Sequence, residues 1–276
     1  MDHSDDDILL ERQAEQPQVA VLRLNRPTVL NALRHDTVRR LTALLDELAA
    51  DEDVRVVVLT GAGRGFCAGW DLRSTLTDAA GEPLQHEPGV TDYIRGQELF
   101  AGMVKRLRGL DKVVIAAVNG VAVGAGFAMT LAADVRLASR SASFHIGAVR
   151  IGLTAGECGI SYHLPRLIGA SRAFELMLTG RPLDAAEAER AGLVSALVDD
   201  ADLMPRALTL AQQVLANSPY ATRHTKQLMW ANLAAPNLEA ALEVENRAQV
   251  LALMTEDFRE ASAAFVEKRA PRYVGR

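Results

Sequence analysis

Cysteine is scarce in this chain, because Cys67 and Cys158 are the two found among 276 residues. Two widely spaced cysteines cannot supply the disulfide framework on which small secreted domains depend. Long hydrophobic runs are lacking too, since none approaches the roughly 20 apolar residues that a membrane-spanning helix needs. These two features predict a protein of the reducing cytoplasm that has no membrane partner.

Clusters of positive charge are also lacking. Lys and Arg number 30 against 35 Asp and Glu, which gives a formal net charge of −5, and the positive residues form no block. A nucleic acid is therefore not an expected partner, because binding to phosphates requires a concentrated basic surface. The opening residues include Asp5, Asp6 and Asp7, which is the opposite of the positively charged start of a secretory leader.

What is present is an ordinary globular composition, with 49% apolar and 24% charged residues. The length suits one large domain, or a domain with an appendage. Residues 19–24 are rich in β-branched side chains and predict a strand. Continuous apolar runs at 54–60 and 113–118 are typical of strands buried on both faces, and 135–138 is a further short strand.

Helical spacing of apolar residues alternates with these strands. It covers residues 36–50, 93–108 and 126–133, and from about residue 159 the chain is predicted to be nearly all helix. Residues 74–92 contain two prolines and two glycines with little periodicity, so we expect a mobile surface loop there. The pattern predicts an α/β core over residues 1–200 and a helical segment over residues 201–276.

Two turns built from glycine and alanine follow apolar strands. One spans residues 66–72, with the sequence FCAGWDL, and the other spans residues 119–130, with the sequence NGVAVGAGFAMT. Small residues let a ligand approach the backbone N–H groups of a turn. Two such turns, brought together, would aim two N–H donors at one oxygen and so form an oxyanion hole, which activates a thioester.

These turns resemble motifs of the enoyl-CoA hydratase/isomerase superfamily, whose members have the crotonase fold. The resemblance spans roughly residues 18–272 and continues through 25–33, 56–63, 132–138, 178–194 and 256–269. It implies an α/β fold of repeated ββα units with a helical C-terminal segment that mediates contacts in a homotrimer or homohexamer. It also implies an enzyme that acts on an acyl-CoA thioester.

The resemblance assigns the two N–H donors of the oxyanion hole to Ala68 and Ala125. The residues that it places around the substrate are Arg26, Ala68, Gly69, Trp70, Asp71, Leu72, Gly124, Ala125, Phe265 and Lys268. Coenzyme A is part of the substrate, so the resemblance implies no separate cofactor and no metal ion. Arg26, Phe265 and Lys268 are expected at the nucleotide end.

The acid/base groups depart from the family pattern. Hydratases of this family use two glutamates, and the matching positions here hold Ala128 and Ala148, neither of which can move a proton. Glu157 lies nearby, just before a predicted helix, where family members that shift double bonds often carry Asp or Glu. One carboxylate can take a proton from an enoyl thioester and return it at another carbon. We therefore expect double-bond isomerisation, with Glu157 as the proton shuttle.

The sequence is also compatible with other functions. The enzyme is alternatively a hydratase with displaced acid/base groups, a hydrolase or decarboxylase of the same superfamily, or a non-catalytic acyl-CoA binding protein. The spacing Gly120-x-x-x-Gly124-x-Gly126 also resembles the nucleotide-binding turn of short-chain dehydrogenases. That turn, however, falls late in the chain, and no Tyr-x-x-x-Lys pair follows it.

Overall fold

The computed structural model describes residues 6–75 and 88–276. Over this part of the chain, strands and helices alternate as far as Ile168, and helices dominate thereafter. Across the same residues, no helix is both long enough and apolar enough to cross a bilayer.

The strands of the described chain form two sheets. Their bounds are β1 Ile8–Gln13, β2 Gln16–Leu24, β3 Val56–Gly61, β4 Gly65–Cys67, β5 Val113–Val118, β6 Val121–Val123, β7 Val135–Ser139, β8 Ser143–His145, β9 Leu183–Asp184 and β10 Ala196–Val198. The larger sheet has the order β1-β2-β3-β5-β7-β10, and the smaller has the order β4-β6-β8-β9. All neighbours are parallel except β1 with β2 and β8 with β9.

The helices cover the outer faces of these sheets and form the C-terminal third. Their bounds are α1 His35–Ala50, α2 Val90–Gly109, α3 Ala125–Ala132, α4 Ile160–Ile168, α5 Ala170–Thr179, α6 Ala185–Arg190, α7 Leu203–Leu215, α8 Pro219–Asn232, α9 Leu238–Leu253 and α10 Glu256–Glu267. Because crossovers between parallel strands require connections of this kind, the alternation of strand and helix builds the sheets.

The ββα repeat is visible three times in succession. Strands β3 and β4 precede α2, β5 and β6 precede α3, and β7 and β8 precede α4. In each repeat the first strand joins the larger sheet and the second joins the smaller sheet. The predicted fold class, an α/β architecture of repeated ββα units with a helical C-terminal segment, is confirmed.

One apolar core lies under α1, α2 and α3, and includes Leu41, Met103 and Phe127, each 1% exposed or less. A second core packs α7 against the opposite face of the larger sheet. Between them, the buried Arg136 donates through Nη1 to the carbonyls of Thr130 and Ala133. These bonds satisfy carbonyls at the end of α3, and so hold the helix whose beginning forms part of the site described below.

The strands that were predicted from continuous apolar runs agree with the structure, since β5 occupies residues 113–118 and β3 lies within two residues of its predicted start. Two expectations need correction. The chain after residue 159 contains β9 and β10 as well as helices, and α2 begins at Val90, inside the segment expected to be a loop. Residues 76–87 of that expected loop lie outside the described residues.

Candidate active site

The first of the two turns is held by the segment between β2 and α1. Leu33 forms a parallel bridge with Trp70. The N–H of Leu33 donates to the Gly69 carbonyl at 2.7 Å, and the N–H of Asp71 donates to the Leu33 carbonyl at 3.0 Å. Leu33 uses both its N–H and its C=O in this bridge, whereas the N–H and C=O of Trp70, which lies between Gly69 and Asp71, point away from the segment that contains Leu33. The amide of Trp70 therefore points away from Leu33, and it has no acceptor among residues 6–75 and 88–276.

The amide of Ala68, in contrast, already has a hydrogen-bond acceptor. Its N–H donates to the Leu30 carbonyl at 2.8 Å. Leu30 and Asn31 both have left-handed backbone conformations, with φ of 52° and 58°, and the Asn31 side chain bonds the carbonyls of Ala62, Gly65 and Phe66. This bonding pins the Leu30 carbonyl beside Ala68. The Ala68 amide, which was expected to be a donor of the oxyanion hole, is therefore not free, and the free amide of this turn belongs to Trp70, two residues later.

The second turn ends at the first residue of α3. Ala125 begins the helix, and its N–H is one of the amides that an α-helix leaves without an internal acceptor. No acceptor for it is found in the described part of the chain. The aligned peptide dipoles of α3 also place partial positive charge at this end. Ala125 therefore presents a free donor with favourable electrostatics for an oxyanion.

The two turns are in close contact. A β-carbon at Gly69, which has φ of 81°, would lie 2.6 Å from the Val123 carbonyl oxygen and 3.6 Å from the Ala125 nitrogen. A β-carbon at Gly126 would lie 2.4 Å from the Cys67 carbonyl oxygen. Glycine at both positions is thus required for the turns to meet. Their meeting brings Trp70 and Ala125, the residues with the free amides, together in the lining of one cavity.

Glu157 faces this cavity from a third segment. Its Oε1 lies 3.0 Å from the place where a β-carbon at Gly124 would be. Cys158 and Gly159 follow in left-handed conformations, with φ of 48° and 84°, and the Ile160 N–H closes the turn on the Glu157 carbonyl at 2.8 Å. The tight reversal directs the Glu157 side chain toward the start of α3 and not along α4.

The environment of Glu157 favours a neutral carboxyl group more than water does. Burial raises its pKa above the ordinary value. No hydrogen bond or ion pair of its carboxyl group occurs among the described residues, so nothing offsets this desolvation. A carboxyl group with a raised pKa, in a cavity and without a partner, has the features expected of a general base or acid.

The cavity has a volume of about 430 Å³ and is largely apolar. Its lining residues come from α1, the turn after β4, α2, α3 and the Glu157 turn, and they are His35, Trp70, Ser74, Pro88, Asp92, Tyr93, Gly96, Gln97, Phe100, Ala125, Leu153, Glu157 and Cys158. This size and lining are typical of a site for a small organic group with few polar contacts.

Several residues expected around the substrate lie elsewhere. Arg26 donates to Asp71 at 3.0 Å and also pairs with Asp7 at 3.5 Å, so its charge is already neutralised. Leu72 is 47% exposed and does not line the cavity. The ion pair holds the Arg26 and Asp71 side chains against each other, and neither of them nor Leu72 lines this cavity.

The C-terminal residues are likewise separate from the cavity. Phe265, on α10, is 86% exposed, and Lys268 is the C-cap of the same helix. Neither lines the cavity within this chain. A contact of these residues with substrate would require them to come from another subunit.

Two positions that hold glutamate in hydratases of the family, and one buried cysteine, supply no reactive group. Ala128 and Ala148 are 0% and 7% exposed and do not line the cavity. Burial raises the pKa of the Cys67 thiol to about 12, which keeps it from acting as a nucleophile. In the described ranges, no group of three or more His, Cys, Asp or Glu residues is placed to hold a metal ion.

Sequence reasoning missed one wall of the cavity. Tyr93, Gly96, Gln97 and Phe100 all lie on α2 at the spacing i, i+3, i+4 and i+7, which is one face of a helix. A glycine in the middle of a helix was the available signal, because it is unfavourable there unless something approaches closely. His35, at the start of α1, completes this wall.

Comparison with known proteins points to one family. The sequence model of the family described as enoyl-CoA hydratase/isomerase matches residues 14–276. The probable enoyl-CoA hydratase EchA12 of Mycobacterium tuberculosis is 44% identical over 257 residues, which are 93% of this chain and 89% of the relative. The 1,2-epoxyphenylacetyl-CoA isomerase of Escherichia coli is 37% identical over 259 residues, 94% of this chain and 95% of the relative.

Solved structures are similar over the full length. A crystal structure of a probable enoyl-CoA hydratase/isomerase from Mycobacterium abscessus superposes with a TM-score of 0.87 at 38% identity. The similarity covers 98% of this chain and 100% of that one.

Proposed function

The chain belongs to the enoyl-CoA hydratase/isomerase family, whose members act on acyl-CoA thioesters, and we propose that it moves a double bond along the acyl chain of its substrate. In this proposal the two free amides bind the thioester oxygen, and Glu157 transfers the proton. Coenzyme A enters as part of the substrate.

The oxyanion hole consists of the Trp70 and Ala125 amides. Both face the cavity side of their turns, and neither has an acceptor in the described chain. The positive end of α3 strengthens the Ala125 donor as negative charge develops on the thioester oxygen. Because both donors are backbone groups fixed by the contact between the two turns, they need little reorganisation when the enolate forms.

The observation that carries the proposal is the position of Glu157. It is the carboxylate placed beside the N-terminus of α3, where the thioester carbonyl would bind. Asp92 also lines the cavity, but it accepts a hydrogen bond from the Gly89 N–H at 3.0 Å, at the start of α2. Glu157 combines its place beside Ala125 with a pKa that burial raises.

The reaction needs one proton transfer in each direction. The Glu157 carboxylate takes a proton from the carbon next to the thioester carbonyl of a 3-enoyl-CoA. The electron pair of the broken C–H bond moves into a dienolate, whose oxygen is held by the Trp70 and Ala125 amides. The protonated Glu157 then returns the proton to the carbon two positions farther along, which leaves a 2-enoyl-CoA. No atom is gained or lost, and Glu157 ends as it began.

Water addition is the second candidate, and the names of the relatives favour it. The EchA12 relatives, at 44% identity, are described as probable enoyl-CoA hydratases. Hydration by the family's two-glutamate arrangement is opposed by Ala128 and Ala148, which occupy both of those positions here. We therefore place isomerisation first and hydration, with other acid/base groups, second.

The test compares the wild-type protein with Glu157→Gln on a 3-enoyl-CoA and a 2-enoyl-CoA. Glutamine has nearly the same shape and cannot accept the proton, so turnover should fall by at least about a hundredfold, while the affinity for a saturated acyl-CoA stays within a few-fold. Glu245→Gln, at an exposed residue of α9 that bonds Asn232, is the matched control. Unchanged turnover in Glu157→Gln would remove Glu157 from the mechanism.

We further propose that the protein assembles into a homotrimer or a dimer of trimers through its C-terminal helices. The support is the apolar surface of α9 and α10, where Met254, Phe265 and Val266 are 68%, 86% and 80% exposed. Exposed apolar patches of this kind mark protein–protein contacts. In such an assembly, Phe265 and Lys268 would reach the cavity of a neighbouring subunit.

A further inference from the structure

The imidazole of His35 faces the active-site cavity and has no hydrogen-bond partner among the described residues. His35 is the first residue of α1, and its ring stands edge-on to Phe100, with ring centroids 5.9 Å apart and an interplanar angle of 80°. An imidazole always offers at least one N–H donor, and its neutral form also offers one acceptor. The cavity therefore contains an unused hydrogen-bonding group besides Glu157 and the two amides.

The neighbouring helix makes room for this ring. A β-carbon at Gly96 would lie 3.0 Å from His35 Nε2, which is closer than an ordinary van der Waals contact. Glycine in the middle of a helix costs stability relative to alanine. The chain nevertheless carries glycine where α2 meets the imidazole. Gly96 thus lets the ring of His35 pack directly against α2 at the wall of the cavity.

His35 lines the same cavity as Trp70 and Ala125. It follows Leu33 by two residues, and Leu33 forms the parallel bridge with Trp70. An acyl group whose thioester oxygen is bound by Trp70 and Ala125 would occupy this cavity and come within reach of the imidazole.

An unsubstituted alkyl chain in this position would displace water from the imidazole without replacing the hydrogen bonds that the water made. A site that has a hydrogen-bonding group discriminates strongly against ligands that leave the group unpaired. We propose that His35 hydrogen-bonds an oxygen carried by the acyl group, so that the substrates are CoA thioesters with a hydroxyl, carbonyl or ether oxygen beyond the reacting carbons. This inference rests on the proposed function, because it concerns the acyl part of the same substrate.

Glu157 and His35 then have separate tasks. Glu157 moves the proton near the thioester, and His35 selects the acyl group by its oxygen. Gln97, which lies beside Gly96 on the same helix face, has its amide nitrogen 3.9 Å from Cys158 Sγ. Gln97 therefore adds a second polar side chain to the lining of an otherwise largely apolar cavity.

The experiment measures dissociation constants by calorimetry with the full chain and matched pairs of unreactive thioesters. The pairs are hexanoyl-CoA with 6-hydroxyhexanoyl-CoA, and octanoyl-CoA with 8-hydroxyoctanoyl-CoA. The wild-type protein should bind the hydroxylated member of at least one pair about tenfold more tightly or better. His35→Phe keeps a ring and removes the nitrogens, so it should abolish this preference and bind the alkyl member at least as well as the wild type does.

Two further variants keep the result interpretable. His35→Gln retains hydrogen-bonding groups and should keep part of the preference, and it also serves if His35→Phe proves too unstable to assay. His224→Phe changes a histidine of α8 that stacks on Tyr220 with centroids 4.1 Å apart, and it should leave the preference unchanged.

Each outcome has a distinct meaning. Equal affinity for the members of both pairs, or an unchanged preference in His35→Phe, would overturn the role of His35 and leave the proposed function standing. Failure of the wild-type protein to bind any of the four thioesters would overturn the proposed function, and the role of His35 with it.

Discussion

Oε1 of Glu157 lies 3.0 Å from the point where a β-carbon on Gly124 would stand. The carboxyl group is therefore seated in the space that a missing side chain leaves at the N-terminus of α3. Gly124 has φ of 50°, and it immediately precedes Ala125, whose amide is one of the two free donors. One glycine thus allows both the approach of the base and the turn that presents the oxyanion donor.

The first prediction concerns this glycine. In Gly124→Ala, the new methyl group should push the Glu157 carboxyl group away, and a displacement of about 1 Å at a reacting group can cost about a hundredfold in rate. We expect kcat to fall by that order, while the affinity for a saturated acyl-CoA changes little. Steady-state kinetics and calorimetry measure the two quantities.

Gly169→Ala is the matched control for backbone strain. Gly124 (φ 50°, ψ −118°) and Gly169 (φ 84°, ψ 150°) both lie at positive φ outside the left-handed helical region, where alanine is strained. A β-carbon at Gly169 would meet nothing within 4 Å, so this variant carries a conformational penalty without the contact. An equal loss of kcat in both variants would show that strain, and not displacement of Glu157, lowers the rate.

The second prediction concerns the Ala125 amide. Proline is tolerated at the first position of a helix because the N–H there has no internal acceptor, so Ala125→Pro removes the donor and preserves α3. The loss of one oxyanion donor should lower kcat by about a hundredfold to a thousandfold.

Ala170→Pro provides the comparison, since Ala170 is the first residue of α5 and is exposed. It should keep wild-type turnover. If Ala125→Pro retains turnover while circular dichroism shows an intact fold, the Ala125 amide is not part of the hole.

The third prediction uses pH. Because burial raises the pKa of Glu157, the turnover number should rise with pH through a value above the ordinary glutamate pKa of about 4.3. A folded-state pKa above the unfolded one means that ionisation destabilises the folded protein. The wild type should therefore lose stability relative to Glu157→Gln as pH rises through that window, by about 1.4 kcal/mol for each unit of the shift.

Calorimetric melting temperatures between about pH 4 and pH 8 measure this difference. Glu157→Gln should melt higher than the wild type at the alkaline end, and the two should converge at the acid end, where both states of the wild type are protonated. Equal melting temperatures throughout would mean that Glu157 is not desolvated in solution.

The fourth prediction concerns assembly. Light scattering during size-exclusion chromatography should give a mass near three or six times the 29.8 kDa of one chain. The double variant Phe265→Glu, Val266→Lys places charges on the most exposed apolar residues of α10 and should reduce that mass. A wild-type mass of one chain would exclude the trimer.

Much of the fold could be predicted from sequence, because its central strands are long and buried on both faces. Residues 56–59 of β3 and all of Val113–Val118 are apolar, and such runs are recognisable without any partner. The strands of the smaller sheet have three residues or fewer. Their existence depends on pairing with distant segments, which no local pattern reveals.

In the candidate site, too, some features could be predicted from local sequence and others depend on distant segments. Glu157 and Ala125 could be proposed from sequence because they lie in turns that are encoded locally by glycine. The free amide on the other turn could not, because the choice between Ala68 and Trp70 depends on which amide the Leu30 carbonyl accepts from, 38 residues away along the chain. The ion pairs of Arg26 could not be predicted for a similar reason, since its partners Asp7 and Asp71 are brought to it only by folding.

The most direct test of the central claim is mass spectrometry in heavy water with purified protein and a panel of 2-enoyl- and 3-enoyl-CoA thioesters. Isomerisation through Glu157 predicts that the double bond moves, that deuterium enters the acyl chain by exchange, and that no mass of water is added. Glu157→Gln should show none of these changes. A product heavier by one water molecule would contradict the isomerase assignment and show that the protein is a hydratase with other acid/base groups.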